Sequence, residues 1–254
     1  MRIENSFIPV EGVGERTERD LWRQGVTHWD AFDPSYVGPT TGERIESYID
    51  EARDRLADAD ARFFGRRFPS NSLWRCYENF RDDAAFFDIE TTGLSAERDR
   101  VTTVSVHRGG ETTTLVRGDD LTGENVARLL DAPLLVTFNG ASFDVPFLET
   151  SFEVDIDAPH LDAMYACRKA GLSGGLKEVE PAAGIERDRP DISGQDAVRL
   201  WHEHERGVDG SLETLVSYNR EDAVNLRTLM DEVAGRLHEE VFEPERAADG
   251  GAEP

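Results

Sequence analysis

Apolar residues along this 254-residue chain follow two rhythms, and the rhythm changes near residue 83. Before that point the spacing is helical. In "TGERIESYIDEARDRLADAD", Ile45, Ile49 and Leu56 return to one face, predicting a helix over about 40–60. Upstream, "EGVGERTERDLWRQGVTHWDAF" places a Gly-x-Gly turn ahead of an amphipathic helix. "RFFGRRFPSNSLWRCYENF" follows as a connector of aromatics and arginines. Past residue 83 strands dominate at first. "AAFFDIE" is an apolar buried run, "RVTTVSVHR" alternates with β-branched residues, and "ETTTLVR" follows a Gly-Gly turn as a hairpin would. "LTGENVARLLDA" reads as a helix opened by a Thr cap, and "PLLVTFNG" as another buried strand. Helices are expected at about 142–150, 161–171, 176–183, 194–206 and 211–238.

An antiparallel three-strand start followed by alternating helix and strand predicts an α/β domain, a mixed β-sheet flanked by helices. A small helical N-terminal extension precedes it. The expected divisions are 1–33, a helical linker over 34–82, the α/β domain over 83–240, and a disordered acidic tail over 241–254, where Glu, Pro, Gly and Ala dominate.

Composition narrows the setting more than the function. Mean hydropathy is −0.53 and no apolar run approaches the roughly 20 residues of a membrane span. "MRIENSFIPVEG" has acids and a Pro where a signal peptide needs an apolar core, so a cytoplasmic location without a membrane partner is expected. Cys76 and Cys167 match no metal spacing and read as buried free thiols. Net charge is −24, from 52 acids against 28 bases, and Lys169 and Lys177 are the only lysines. Taken alone, that balance argues against a nucleic-acid partner. The excess is spread along the whole chain, however, and resembles the acid-rich, lysine-poor surfaces of salt-in halophiles. Charge therefore describes the solvent and leaves the substrate open.

Three stretches bring acids to structurally meaningful places. In "FFDIETTGL", Asp88 and Glu90 lie two apart on a strand, so both carboxylates face one side. Like charges that close raise each other's pKa unless a cation lies between them. In "VTFNGASFDVPFLE", Asp144 opens a helix just after a buried strand ends at Asn139-Gly140. In "SYNREDAVNL", Tyr218 and Asp222 are four apart and share a helical face. Each alone has a plain reading: a strand-end polar residue, a helix-dipole acid, a solvated face.

Together and in this order, the three stretches resemble the DEDD exonucleases of the ribonuclease H-like superfamily. "DIETTGL" matches their first motif, "TFNGASFD" the second and "YNRED" the third; Tyr218, with Ser217 where another branch has His, is similar to the tyrosine (DEDDy) subgroup. "FNGASFDVPFL", "LDAMYACRKAGLSGGLKEVE" and the closing "YNREDAVNL" resemble the YprB-like group, and the resemblance spans about 150 residues. It implies a metal-dependent 3′–5′ exonuclease acting on nucleic acid at a single-stranded 3′ end and releasing 5′-nucleotides. It also implies two divalent ions, Mg²⁺ or Mn²⁺. Asp88, Glu90 and Asp222 would hold the first, Asp144 would help place the second, and Tyr218 would orient, or help deprotonate, the attacking water. Thr91, Leu94, Asn139 and Phe143 are then candidate substrate contacts, although Leu94 and Phe143 read equally well as core packing. Asp162 reads as a helix N-cap or a supporting acid, and Lys177 as a possible phosphate contact. His160, His202 and His204 have no zinc spacing and are expected to be solvated.

"GVGERTERDLWRQGV" resembles the second half of a helix-hairpin-helix element, which implies phosphate contact by the backbone at Gly12 and Gly14 and tilts the substrate towards DNA and repair. Read from the residues alone, the same pattern is a tight turn opening a packing helix, with Glu11 and Glu15 set to repel phosphate. Trp22, Trp29 and Trp74 are expected to dock the segment onto the α/β domain. The alternatives to an enzyme are a non-catalytic nucleic-acid-binding module and an acidic interaction protein that keeps a ribonuclease H-like fold.

Overall fold

The computed structural model describes residues 1–247, which fall into two compact units: Met1–Arg81 together with the chain from Val233 onward, and Asp82–Glu232. The first unit is helical. It contains α1 (Glu15–Arg23), α2 (Pro39–Ala57), α3 (Ala61–Arg67), a 3-10 stretch over Ser70–Cys76 and α4 (Tyr77–Phe80). Its N-terminal segment is tied down by one buried carboxylate. Glu18 accepts from Ser6 Oγ at 2.6 Å and Phe7 N at 2.8 Å, and forms an ion pair with buried Arg75. Breaking a buried pair of this kind costs about 3–5 kcal/mol, because the remaining charge is left without a partner. Trp22 donates to Asn5 O at 2.8 Å and Trp29 donates to Ser6 O at 3.0 Å. Both are buried within this unit, as is Trp74.

The second unit holds the sheet. Its strands are β1 (Ala85–Thr91), β2 (Val101–Arg108), β3 (Glu111–Val116), β4 (Leu135–Thr137) and β5 (His160–Asp162), in the order β3-β2-β1-β4-β5. β1, β2 and β3 pair antiparallel, while β4 pairs parallel with both β1 and β5. The helices are α5 (Gly123–Leu129), α6 (Asp144–Phe152), α7 (Ala163–Lys169), α8 (Leu176–Val179), α9 (Gly194–Glu205) and α10 (Ser211–Leu237). This is the mixed sheet with flanking helices that the strand pattern predicts.

Alternation along β1 assigns its two faces. Ala85, Phe87 and Ile89 enter a core with Val104, Val106, Val126, Phe147 and Leu148, where α5 and α6 pack. Burying each large side chain there contributes about 1.5–3 kcal/mol. Phe86, Asp88 and Glu90 take the opposite face, where Arg227 of α10 lies 6.0 Å from the Phe86 ring centroid.

Two expectations are corrected. The helix expected from residue 161 begins at Ala163, because His160–Asp162 pairs with β4 as an edge strand. Three residues after the acid-rich "FEVDIDAP" are too few to show an alternation. The expected disordered tail over 241–254 is ordered at its start: a π-turn over His238–Phe242 leads into α11 (Glu243–Ala247). Phe242 is buried edge-on to Trp22 at 5.1 Å, and Glu245 accepts two hydrogen bonds from Arg23 at 2.6 and 2.9 Å. Residues 248–254 of that expectation lie outside the described residues. Among the described residues no helix is long and apolar enough to cross a membrane.

Candidate active site

Three elements of the second unit converge on the polar face of β1. Asp88 and Glu90 project from β1, and the register shift between Glu90 and Thr91 marks a bulge where the strand re-aims its side chains. Asp222 comes from α10, one turn after Tyr218. One carboxylate oxygen from each of Asp88, Glu90 and Asp222 lies within 4.8 Å of the others. Asp144 sits at the first position of α6 and is buried. Its field reaches both β1 carboxylates.

The loop that delivers Asp144 is held by another acid. Asp162 accepts from Asn139 N at 2.8 Å and Ala141 N at 3.2 Å while capping α7 through Met164 N at 3.0 Å. Asp162 is therefore both a cap and a support for the Asp144 turn. Asn139 takes a left-handed backbone with φ 64°, a conformation Asn tolerates better than most residues. Within the same turn, Thr137 Oγ1 pairs with His160 Nε2 at 2.7 Å and accepts from Gly140 N at 3.1 Å.

Burial dominates the electrostatics. It raises Asp88 and Glu90 well above the ordinary carboxylate range, and Asp222 and Asp144 raise them further. Asp144 is pushed up to about 7 by burial, against hydrogen bonds from the backbone at Ile89 and at Asp144 itself. Asp222 is pushed up to about 6 by burial, with Arg187 pulling the other way. Tyr218 is also raised by burial and by Asp222, Glu90 and Asp88, so its phenol stays protonated. A site whose carboxylates resist ionisation together is one that a cation completes.

The fit to a hard cation follows from the donor set. Carboxylate oxygens suit Mg²⁺ and Mn²⁺, and three that close repel one another without a positive charge between them. Asp222 Oδ1 already faces one cation, the Arg187 guanidinium at 2.5 Å, which leaves Asp88 and Glu90, among the described residues, without an ion pair of their own. The residues fit a divalent ion.

Several residues here carried no role in the sequence reading. Asn219 donates to Asp88 Oδ2 at 2.7 Å and fixes that carboxylate. Arg187, from the loop before α9, is paired with Glu180, with its Nη2 donating to Glu180 Oε1 at 2.7 Å. Its Nη1 lies 2.5 Å from Asp222 Oδ1 in an ion pair. Asn225 donates to Glu180 Oε1 at 3.0 Å. Asn219 stood inside "YNRED", where its place beside Tyr218 was the available signal. "ERDRPD" gives none for Arg187, since an arginine among acids reads as solvated surface. Lys177 Nζ lies 4.7 Å from the Tyr218 ring centroid. Beside the acids, a cleft of about 540 Å³ is lined by Lys177, Glu180, Ile185, Glu186, Arg187 and Pro190, among others.

The flanking candidates divide. Leu94 is 88% exposed, so core packing does not account for it. Phe143 is half-buried and packs 5.4 Å from Phe147 on the core side. Thr91 is buried and donates its hydroxyl to Gly93 O at 2.6 Å. Asn139 is exposed. Gly12 and Gly14 lie in the first unit; Gly12 has φ 89° and Gly14 caps α1 with exposed Glu11 and Glu15 on either side. His160 is half-buried on Thr137 rather than solvated.

A family model described as the RNase_H superfamily matches residues 85–234, more than half of the chain. The chain belongs to the RNase H superfamily. The match spans the whole sheet and all four acids. No curated protein sequence matches this RNase H superfamily member. Among solved structures, one described as the apo form of a nuclease is 22% identical, covering 66% of this chain and 79% of its own, with a TM-score of 0.47. Brucella melitensis NrnC bound to pGG is 19% identical, covering 68% and 83%, also at 0.47. The family B DNA polymerase from the archaeon Pyrobaculum calidifontis is 17% identical over 64% of this chain and 28% of its own, at 0.45.

Proposed function

We propose that this protein is a metal-dependent 3′–5′ exonuclease of the DEDDy type, within the YprB-like group, hydrolysing phosphodiester bonds at single-stranded 3′ ends. DNA is favoured over RNA on the resemblance of the Gly12–Gly14 turn to a helix-hairpin-helix element. The observation that carries the reading is the convergence of Asp88, Glu90 and Asp222 oxygens within 4.8 Å. Membership of the RNase H superfamily supports it.

When bound, a pair of divalent ions supplies an acidified water and stabilises charge on the attacking and leaving oxygens. Asp88, Glu90 and Asp222 would hold one ion and Asp144 would help hold the other. Asn219 keeps Asp88 turned towards the site. Tyr218, protonated, holds the attacking water by its hydroxyl and does not act as the base. Leu94, exposed past the end of β1, wedges against the terminal nucleotide, Thr91 meets it by its backbone, and Asn139 and Phe143 contact sugar or base.

Incubation in high salt with 5′-labelled single-stranded DNA and RNA, with Mg²⁺, Mn²⁺ or chelator, tests the reading. A metal-dependent ladder shortening from the 3′ end is expected. Asp88→Asn and Asp222→Asn should each lower the rate at least ~100-fold with the circular dichroism spectrum unchanged, and Tyr218→Phe by roughly 10–100-fold. Intact strands under every salt and metal condition would sink the proposal.

A further inference from the structure

The Glu180–Arg187–Asp222 array holds a cation against one of the acids. Arg187 is 5% exposed at its side chain, Glu180 1% and Asp222 8%. One edge of the guanidinium, Nε and Nη2, is spent on Glu180, which Asn225 holds in turn. A bidentate pair fixes both position and plane. Nη1 is thereby held 2.5 Å from Asp222 Oδ1. Arg187 also lines the 540 Å³ cleft, together with Lys177. Among the described residues Lys177 makes no ion pair, and its partner is the Tyr218 ring 4.7 Å away. Glu186 also lines the cleft and the charge of Lys177 reaches Glu90; with Glu180 spent on Arg187, the Lys177–Arg187 wall is the side of the cleft that suits an anion.

We propose that Arg187, clamped by Glu180, is a resident counter-cation that keeps the affinity of Asp222 and its neighbours for divalent ions low until a phosphate occupies the adjoining cleft. The inference rests on the metal-binding reading above. A fixed positive charge in contact with a ligand oxygen opposes an arriving divalent ion, and at this burial the opposition is weakly screened. A phosphate between Lys177 and Arg187 adds the compensating negative charge. Metal and strand then bind cooperatively, and by linkage each tightens the other by the same factor. Arg187 acts here as a positioning residue and takes no part in bond breaking.

Isothermal titration of Mn²⁺ into chelator-stripped protein, with and without thymidine 5′-monophosphate, reads this directly. The Asp88→Asn/Asp222→Asn double variant gives the background of surface acids. Thymidine monophosphate should tighten Mn²⁺ binding to the wild type. Arg187→Gln should bind Mn²⁺ at least ~10-fold tighter without the nucleotide and lose most of that coupling. Arg187→Lys, which keeps the charge but not the bidentate hold on Glu180, should fall between wild type and Arg187→Gln. Glu180→Gln should weaken Mn²⁺ binding, because the arginine is then less neutralised. These opposite signs separate a field effect from damage to the fold, and the last variant decides the matter if Arg187→Gln does not fold. Wild-type heats equal to the double variant would overturn the metal reading itself. Specific Mn²⁺ binding that Arg187→Gln leaves unchanged or weakens, or that Glu180→Gln leaves unchanged or tightens, would overturn the counter-cation and leave the metal reading standing.

Discussion

Asp144 and Asp222 tie the charge state of single residues to stability. Both are buried, and burial lifts them from 3.8 to about 7 and about 6. The folded state therefore holds protons that the unfolded chain has already released. Their stabilising contribution is complete below about pH 4 and is lost progressively as pH rises from about 4 to 6 for Asp222 and to 7 for Asp144. Metal-free wild type should accordingly lose stability relative to Asp144→Asn between pH 4 and 7, by roughly 4 kcal/mol at pH 7, and the gap should close at pH 4. Paired thermal melts in chelator at the two pH values test this; a gap independent of pH would refute it. The acids themselves were legible because spacing fixes direction: two apart on a strand, four apart from Tyr218 on a helix. Arg187 and Glu180 were not, since their pairing depends on how a loop folds back and has no period.

Among the elements, the turn between β4 and α6 decides where Asp144 sits. Asp162 at the end of β5 binds two of its backbone N–H groups, and Thr137 a third. Gly140 is required there by space, because a Cβ would run into the Thr137 side chain. Gly140→Ala should cost about 1–3 kcal/mol in a thermal melt and weaken Mn²⁺ binding through a displaced Asp144. Wild-type Mn²⁺ affinity in that variant would mean the turn does not govern the site. β1, β2, β3 and the long helices could be read from the chain because each carries several periods of its pattern. β5, with three residues, and α11, with five in a Pro- and Glu-rich stretch, owe their form to partners: β4 for one, Trp22 and Arg23 for the other.

For the whole molecule, the net charge of −24 acts on every element at once. Acids spread along the chain repel one another in the folded state, and salt shortens the range of that repulsion from about 10 Å at 0.1 M to about 3 Å at 1 M. The melting temperature should rise between 0.1 and 2 M KCl, by roughly 5 °C or more for a gain of a couple of kcal/mol. A flat or falling curve would remove the halophile-like reading of the composition. The two buried cysteines offer a finer gauge. Cys76 lies in the first unit and Cys167 in the second, and burial raises both thiols, Cys167 to about 11. Neither reacts unless its surroundings open. A thiol reagent applied under native conditions thus clocks the breathing of each half of the chain at its own reporter. Mass spectrometry of the two peptides would tell whether the halves come apart together or one ahead of the other.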